Sequence, residues 1–358
     1  MRILDRYLLR EFVVYLALGL LGFIVIFIVV DLIEKMDVFL DHRAPWLLVA
    51  QYFVNLAPDV VVKMLPVALL LATFLALGQL NKFGELTAMR AGGLSLVRIL
   101  APVLAVSTLC VGISLGLGEY VVPAATRARD TIFEERIQHL QRSTPSERAD
   151  VTYLGRGHIW VVGLYLVHEQ RMHEVSLQEF HSGVLARRID AAEANWEHNR
   201  WVFVSGYVRQ FEHGHEQAEA FQRLAVAGLG ERPEDFAKEG HKPEEMNWFE
   251  LRSYVDRLRA SGARVENYLV DLHLKLAFPL ICLIVVMIGG ALATRLRMQG
   301  AALGFGLSVA ISFFYYGIMR ASQALGHNGA LPPYVAAWSA DTLFGTVALI
   351  MLADAQRR

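Results

Sequence analysis

Five basic side chains lie near the ends of long apolar runs: Lys35 and Arg43 just after the first run, Lys63 and Lys275 inside the second and fourth, and Arg320 at the end of the fifth. An ionisable group at that depth in a membrane is costly, so it usually faces a cavity or a partner. Together these bases could hold the phosphates of an anionic lipid. The alternative for each base is snorkelling to the interface and pairing with a nearby acid: Asp31, Glu34, Asp59 or Asp271. As a group they favour a lipid-binding site, with Lys35, Lys63, Lys275 and Arg320 as its members.

A polar stretch from Lys82 to Arg98 separates two apolar runs. It contains one acid, Glu85, and apolar residues at helical spacing, such as Leu86 and Met89. Basic segments between membrane spans stay in the cytoplasm. We therefore expect a short helix over about 82–97 at the cytoplasmic face, where it could pass force from a soluble partner into the membrane. An ordinary basic loop is the alternative.

The sequence gives little support for nucleotide hydrolysis, metal binding or a disulfide. There is no G-x-x-x-x-G-K-S/T run, so we expect no nucleotide hydrolysis by this chain and no cofactor. His168 and His173 are one residue too far apart to ligate a metal from one helical face, and surface histidines explain them better. Cys110 and Cys282 both fall in apolar runs, so we expect no disulfide. Asp341 is an acid within an apolar run, which could pair with one of the bases or face water.

The composition is that of a membrane protein with a soluble part, because 54% of the 358 residues are hydrophobic and only 19% are charged. A spanning helix needs about 20 apolar residues. The sequence predicts an interfacial helix over residues 1–11 and six spans, at about 12–30, 56–80, 99–117, 272–293, 300–319 and 334–352. The predicted domains are 1–118 with the first three spans, 119–270, and 271–358 with the last three.

The central region, 119–270, is rich in charge and contains short alternating runs separated by turn residues. Examples are 151–154, 159–162 and 201–204. Many short strands at regular spacing are typical of a β-sandwich or roll. We expect helical flanks at 123–141 and 247–261, the second of them amphipathic.

Orientation follows from the bases near the ends of the spans. One membrane face collects ten bases against four acids, Asp5, Glu11, Glu85 and Asp354. The ten are Arg2, Arg6, Arg10, Lys82, Arg90, Arg98, Arg295, Arg297, Arg357 and Arg358. This face is predicted to be cytoplasmic, so the central domain lies on the other side. A net charge of −1 gives no reason to expect nucleic acid as a partner.

Small residues mark two spans: Gly19 and Gly22 in the first, and Gly300, Gly304 and Gly306 in the fifth. Such faces permit close approach of helices. They could form a seam with another membrane subunit, or pack within the chain.

Four motifs together are familiar: 4–7 (Leu-Asp-Arg-Tyr), 84–93, 118–123 and 251–262. With them the chain resembles the LptF/LptG permease family of the lipopolysaccharide export transporter over nearly its whole length. The first two motifs are closer to the LptG type. Gly92-Gly93 is looser than the usual pair of the family, and Lys63 and Lys275 match no family position.

The resemblance implies a membrane α-helical fold with an inserted all-β, jellyroll-like periplasmic domain, in the bacterial inner membrane. It implies four partners: an LptF-type permease paralogue, a dimeric LptB-type ATPase, an LptC-type single-span jellyroll protein, and lipopolysaccharide. It also implies that the 82–97 segment is a coupling helix, with Glu85 at the position of the acid that meets the ATPase and with Leu86, Met89 and Arg90 beside it. Lys35 falls where the family carries a base after the first span.

The sequence thus favours a permease subunit without catalytic residues of its own, driven by a partner ATPase. It leaves two alternatives open. One is a membrane-anchored periplasmic sensor or scaffold, and the other is a membrane-embedded lipid-modifying enzyme.

Overall fold

The computed structural model describes residues 3–138, 147–155, 158–181, 184–212, 215–226, 229–237, 243–260, 265–295 and 301–357. The chain forms two compact units. The membrane unit comprises Met1–Phe133, Pro243–Trp248 and Glu266–Arg358, and the β-unit comprises Glu134–Lys242 and Phe249–Val265. Arg2, Arg297, Gly300 and Arg358, which were named above, lie outside the described residues.

The helices of the first half are α1 (Ile3–Glu34), α2 (Met36–Asp41), α3 (Trp46–Lys82), α4 (Glu85–Ala91), α5 (Leu96–Gly116) and α6 (Val122–Thr131). Those after the sheet are α7 (Pro233–Ala237), α8 (Trp248–Ala260), α9 (Glu266–Ala277), α10 (Ile281–Arg295), α11 (Ala301–His327) and α12 (Pro333–Arg357). A 3₁₀ turn joins α9 to α10, and the pair counts as one span. Six described helices are long and apolar enough to cross a membrane, which confirms the predicted number.

All six spans are longer than the sequence predicted, α3 for example beginning at Trp46 and not near residue 56, and three of the extensions change how a predicted feature is placed. α1 is continuous from Ile3, so residues 3–11 are not a separate interfacial helix. Arg and Glu are good helix formers, and nothing in that stretch breaks the helix. The third span continues through a π-helical turn, Leu117–Val121, into α6. α11 runs on to His327, so Arg320 lies inside the helix and does not end it.

α3 is the central helix of the membrane unit. Nearly every side chain from Leu65 to Leu77 is buried, although Pro58 and Pro66 lie inside the helix. Neighbouring helices repair the backbone groups that a proline frees in a span. α10 packs against α3 and α5 through Gly289 and Gly290, where an added Cβ would lie 2.8 Å from Leu70 Cδ1 and 2.6 Å from Leu100 Cδ1.

The described strands of the β-unit are β1 (Glu147–Leu154), β2 (His158–Leu166), β3 (Arg171–His181), β4 (Val184–Glu197), β5 (Arg200–Glu212) and β6 (His215–Val226). They form one antiparallel sheet in the order β1-β2-β3-β4-β5-β6, so each strand pairs with its neighbours in sequence. A tight hairpin turn joins β4 to β5: His198 and Asn199 have φ of 50° and 64° between the paired residues Glu197 and Arg200. An all-β domain inserted between the third and fourth spans is therefore confirmed.

A crease crosses the whole sheet at one level. The register of β2 with β3 passes from Val162↔Val175 directly to Leu164↔His173. The same interruption recurs in each strand pair, at Asp150, Gly163, Glu174, Ala192, Ser205 and Gln222. The backbone is strained there, because Glu174 and Ser205 have φ of 54° and 55°. The crease bends each strand where the alternation of core residues changes phase.

The bend folds the sheet onto itself. Trp160 pairs with Leu177, Leu177 with Ile189, and Ile189 with Val208, so Val208 is level with Trp160. In a flat sheet Trp201, further along β5, would lie roughly 27 Å from Trp160. Their ring centroids are 5.6 Å apart. The sheet thus has a first limb, which contains Trp160, and a second limb, which contains Trp201, and they enclose an aromatic core.

Candidate functional site

α4 is a helix of seven residues that turns the chain from α3 to α5. Gly84 precedes it with φ of 72°, a left-handed conformation that glycine adopts without strain. Ser95 begins α5 by accepting a hydrogen bond from the backbone N–H of Arg98 at 3.3 Å. The helix expected over about 82–97 is therefore confined to Glu85–Ala91, because its flanks belong to α3 and α5.

α4 is anchored to the membrane unit by three of the four residues predicted to couple it to a partner. Leu86 is 3% exposed, and Met89 packs against the same hydrophobic core. Arg90 donates a hydrogen bond from Nη2 to the carbonyl oxygen of Ala355 in the last turns of α12, at 3.2 Å. Glu85 is half-buried, and Thr87 faces outward with Ala88 and Phe83. A displacement of α4 would therefore be transmitted to α12 as well as to α3.

An ion pair that the sequence did not predict lies beside α4. Arg98 Nη2 of α5 contacts Asp5 Oδ2 of α1 at 2.9 Å. Leu4, Leu8 and Met89 line a small cavity next to this pair. Both charges were predicted to lie on one membrane face. They are 93 positions apart in the sequence, so their contact could not be predicted.

Lys35 is enclosed between α1 and α3. Its Nζ contacts Asp31 Oδ1 at 2.6 Å, donates a short hydrogen bond to the hydroxyl of Tyr52, and lies 5.6 Å from the ring centroid of Phe133. The Tyr52 hydroxyl in turn donates to Asp31 Oδ2 at 3.1 Å. Lys35 therefore has a carboxylate, a phenol and an aromatic face as partners, and only 28% of its side chain is exposed.

Lys63 is more open. Its Nζ contacts Asp59 Oδ2 at 2.7 Å, and 46% of the side chain is exposed. The hydroxyl of Tyr316 on α11 donates to the carbonyl oxygen of Lys63 at 2.5 Å. Tyr52 and Lys63 lie roughly 16 Å apart along α3. Lys35, which is bound at Tyr52, therefore could not share one phosphate with Lys63.

Arg320 and Lys275 lie in the same neighbourhood as Lys63. Arg320 follows Tyr316 by one helical turn and donates from Nη1 to Gln323 Oε1 at 2.9 Å. Gln323 donates to Asp271 Oδ1 at 2.9 Å, and Lys275 is half-buried one turn after Asp271 on α9. The helices that carry Lys63, Arg320 and Lys275, which are α3, α11 and α9, are thus joined by side-chain contacts, whereas Lys35 lies apart. Internal pairing with an acid, the alternative weighed above, describes Lys35 and Lys63 in this structure.

Asp341 neither pairs with one of these bases nor faces water. Its side chain is 6% exposed, and its Oδ1 accepts a hydrogen bond from the Tyr315 hydroxyl at 2.7 Å. Its Oδ2 is buried and accepts no hydrogen bond from the described residues. The pair ties α12 to α11 within the membrane unit.

These features define a class of protein. Six spanning helices, an all-β insertion after the third, a short polar helix at one turn and a group of bases on neighbouring spans make a multi-pass membrane protein with the architecture of a permease. The sequence model of the family "Lipopolysaccharide export system permease LptF/LptG" matches residues 6–354, so the chain belongs to this family. A search of curated proteins found no match. The family expected from the motifs is confirmed.

Proposed function

We propose that this chain is one of two permease halves that extract lipopolysaccharide from the bacterial inner membrane, powered by a partner ATPase. The observation that carries the proposal is the family match, which spans all six membrane helices and the β-unit. The chain itself contributes no catalytic residue and no cofactor. Within the family, the LptG type fits residues 4–7 and 84–93 better than the LptF type.

α4 is the proposed contact with a dimeric LptB-type ATPase. Its inward face is fixed by Leu86 and Arg90, so a push on the outward face is transmitted to α3 and α12. Glu85 begins the helix and offers a carboxylate to a basic residue of the ATPase. A cysteine at exposed Thr87 is expected to crosslink to the ATPase, and the yield is expected to change with bound nucleotide. A cysteine at Tyr334, which is 61% exposed in the first turn of α12, is the control.

The proposed lipid site uses Lys63, Arg320 and Lys275 together, with Lys35 as a separate contact. Lysines and forked arginine side chains suit the phosphates of lipid A. Lys63 and Arg320 are the exposed members, so they are available to a headgroup without rearrangement. Lys35 first has to leave Asp31 and Tyr52.

Photo-crosslinking tests this assignment residue by residue. A photoreactive amino acid at Lys63 or Arg320 is expected to label lipopolysaccharide more strongly than the same group at Leu343 or Ile350 of α12. Those two control positions are 50% and 64% exposed on an apolar helix. Equal labelling at all four positions would remove these bases from the site.

The exposed apolar faces of α1 and α11 are the proposed seam with an LptF-type paralogue and with the span of an LptC-type protein. The most apolar stretch of α1 has no buried residue. Gly22 and Gly306 have no other atom within 4 Å of an added Cβ, so both faces are open to a close neighbour. The β-unit, which the distribution of bases predicts to be periplasmic, would pass the lipid to the LptC-type jellyroll protein. Mass spectrometry of the detergent-extracted complex, for its subunits and bound lipid, tests this assembly.

A further inference from the structure

The segment 229–237, which follows β6 and includes α7, lies inside the folded sheet. We call it the strap. Phe236 is fully buried, and its ring centroid is 4.8 Å from that of Tyr153 and 5.1 Å from that of Trp160 in the first limb. It is 5.5 Å from Trp201 in the second limb. One side chain of the strap therefore fills the space between the two limbs.

Polar contacts hold the strap to both limbs. His158 of the first limb lies 2.6 Å from Glu231, measured from Nε2 to Oε1. In the second limb, Trp201 Nε1 donates to the carbonyl oxygen of Glu231 at 2.9 Å, and the Tyr165 hydroxyl donates to that of Pro233 at 3.0 Å. The strap is thus fastened mainly by hydrogen bonds at its start and by one aromatic ring near its end.

The ion pair is the titratable part of this fastening. The hydrogen bond that His158 donates to Glu231 raises the pKa of His158 above its ordinary value, although burial opposes this. Burial alone would raise the pKa of Glu231, but the hydrogen bond from His158 reverses this, and the pKa lies below its ordinary value. The other acid facing His158 is Glu179 of β3, which lies 3.6 Å from Arg187. Both shifts favour the charged pair.

We propose that the strap is a removable plug, which occupies the groove between the limbs and has to leave before a saturated alkyl chain can enter. The inference rests on the proposed function, since a lipid passing along the β-unit brings such chains. The walls that Phe236 contacts, Tyr153, Trp160, Tyr165 and Trp201, are aromatic and suit an alkyl chain equally well. The His158–Glu231 pair sets how readily the plug leaves.

The fastening is suited to release. Glu231 is 6% exposed, and its second carboxylate oxygen and the nearby indole Nε1 of Trp160 are both buried without a full hydrogen bond among the described residues. A polar network that is only partly satisfied is a weak point in a buried core. An incoming chain would replace the contacts of the Phe236 ring, while water would solvate the freed carboxylate.

Distances between spin labels test the proposal on the full chain in lipid nanodiscs. Labels on Glu234→Cys of the strap and Glu219→Cys of β6 report the position of the strap, and both sites are exposed. Cys110 and Cys282 are replaced by alanine, since they are the free cysteines of the described chain. At pH 6 a single short distance is expected. Titration with hexadecanoate, the alkyl probe, is expected to add a second, longer distance.

Two variants separate the ion pair from general damage. Glu231→Gln is expected to raise the population of the longer distance roughly tenfold or more, because a hydrogen bond to a charged group is lost. The matched control is Glu193→Gln, which removes another His–Glu pair of the same sheet. There His173 Nδ1 lies 3.7 Å from Glu193 Oε1, and both side chains are more exposed. This control is expected to leave the distances unchanged.

The proposal would be overturned if the wild-type chain kept one short distance at every hexadecanoate concentration and from pH 5 to pH 9. The strap would then be a permanent part of the core. This result requires no variant, so a misfolded mutant cannot produce it. The measurement is also separate from transport: the strap can move with hexadecanoate even if the chain exports no lipopolysaccharide. If the proposed function is wrong, the export of lipopolysaccharide will fail. If the plug is wrong, the distances between the spin labels will not change.

Discussion

Asp31→Asn is expected to release Lys35 and to strengthen the binding of lipopolysaccharide. In the structure Lys35 Nζ is held by Asp31 Oδ1 at 2.6 Å and by the Tyr52 hydroxyl. A phosphate that approaches Lys35 has to compete with this carboxylate. Asparagine has nearly the same size but carries no charge, so the substitution keeps the packing around Lys35 and removes the carboxylate that competes with the phosphate.

The magnitude follows from the burial of the pair. Hydrogen bonds to charged groups contribute about 1.5–3 kcal/mol, whereas exposed pairs one helical turn apart contribute about 0.3–0.5 kcal/mol. Lys35 is 28% and Asp31 13% exposed, so the pair lies between these limits, near 1 kcal/mol after screening by solvent. A change of 1.4 kcal/mol is tenfold in affinity. We therefore expect about a fivefold gain in affinity and a similar loss of folding stability.

The assay is native mass spectrometry of the complex with lipopolysaccharide over a range of lipid concentrations. Lys35→Gln is expected to weaken binding, and the double variant Asp31→Asn/Lys35→Gln is expected to show no gain over Lys35→Gln. Asp59→Asn is the matched control, because it frees Lys63 from a pair of the same spacing at 2.7 Å. Lys63 is already 46% exposed, so its gain is expected to be smaller. A gain from Asp31→Asn that persists without Lys35 would refute the reasoning.

Three further predictions concern other parts of the chain. Glu85→Lys is expected to lower ATP hydrolysis or co-purification of the ATPase while the chain remains inserted, since it reverses a charge at the start of α4; normal assembly and export would make α4 a simple turn. Gly206→Ala is expected to destabilise the β-unit by about 3 kcal/mol or more, because its Cβ would lie 2.1 Å from the carbonyl oxygen of Asp190. Hydrogen exchange of β4 and β5 measures this, and Gly230→Ala, which meets nothing within 4 Å, is the control. The stabilisation from His158, whose pKa is raised, is complete below about pH 6.5 and is lost as the pH rises through the raised pKa. The contribution of Glu231, whose pKa is lowered, is lost only as the pH falls through that lowered value. Protection of the strap from hydrogen exchange is therefore expected to fall as the pH rises above about 6.5, and a flat profile in the wild type or the same slope in His158→Gln would count against it.

Much of the fold could be predicted because apolar length is a local signal. The six spans, the inserted β-domain and the hairpin at His198-Asn199 follow from hydropathy and turn residues that are contiguous in sequence. The ends of helices were less predictable. α1 begins at Ile3 and α11 continues past Arg320, because charged residues such as arginine extend a helix as readily as apolar ones do.

The candidate site was less predictable because its contacts join distant positions. Lys35 and Lys63 were predicted as bases near the ends of spans, and their acids at four residues' distance were named as alternatives. The hydroxyl of Tyr52, the ring of Phe133 and the pairing of Asp5 with Arg98 depend on how helices pack, which one sequence does not reveal. The same holds for the crease in the sheet, whose members are spaced along six strands, and for the position of Phe236 between the limbs.

Export by a reconstituted complex tests the central claim most directly. The chain is combined in proteoliposomes with an LptF-type paralogue, an LptB-type ATPase and an LptC-type protein, and the transfer of lipopolysaccharide out of the bilayer is followed after addition of ATP. Transfer is expected to require both ATP and this chain, and to fall with Glu85→Lys. Transfer at the same rate from proteoliposomes that lack this chain would contradict the proposed function.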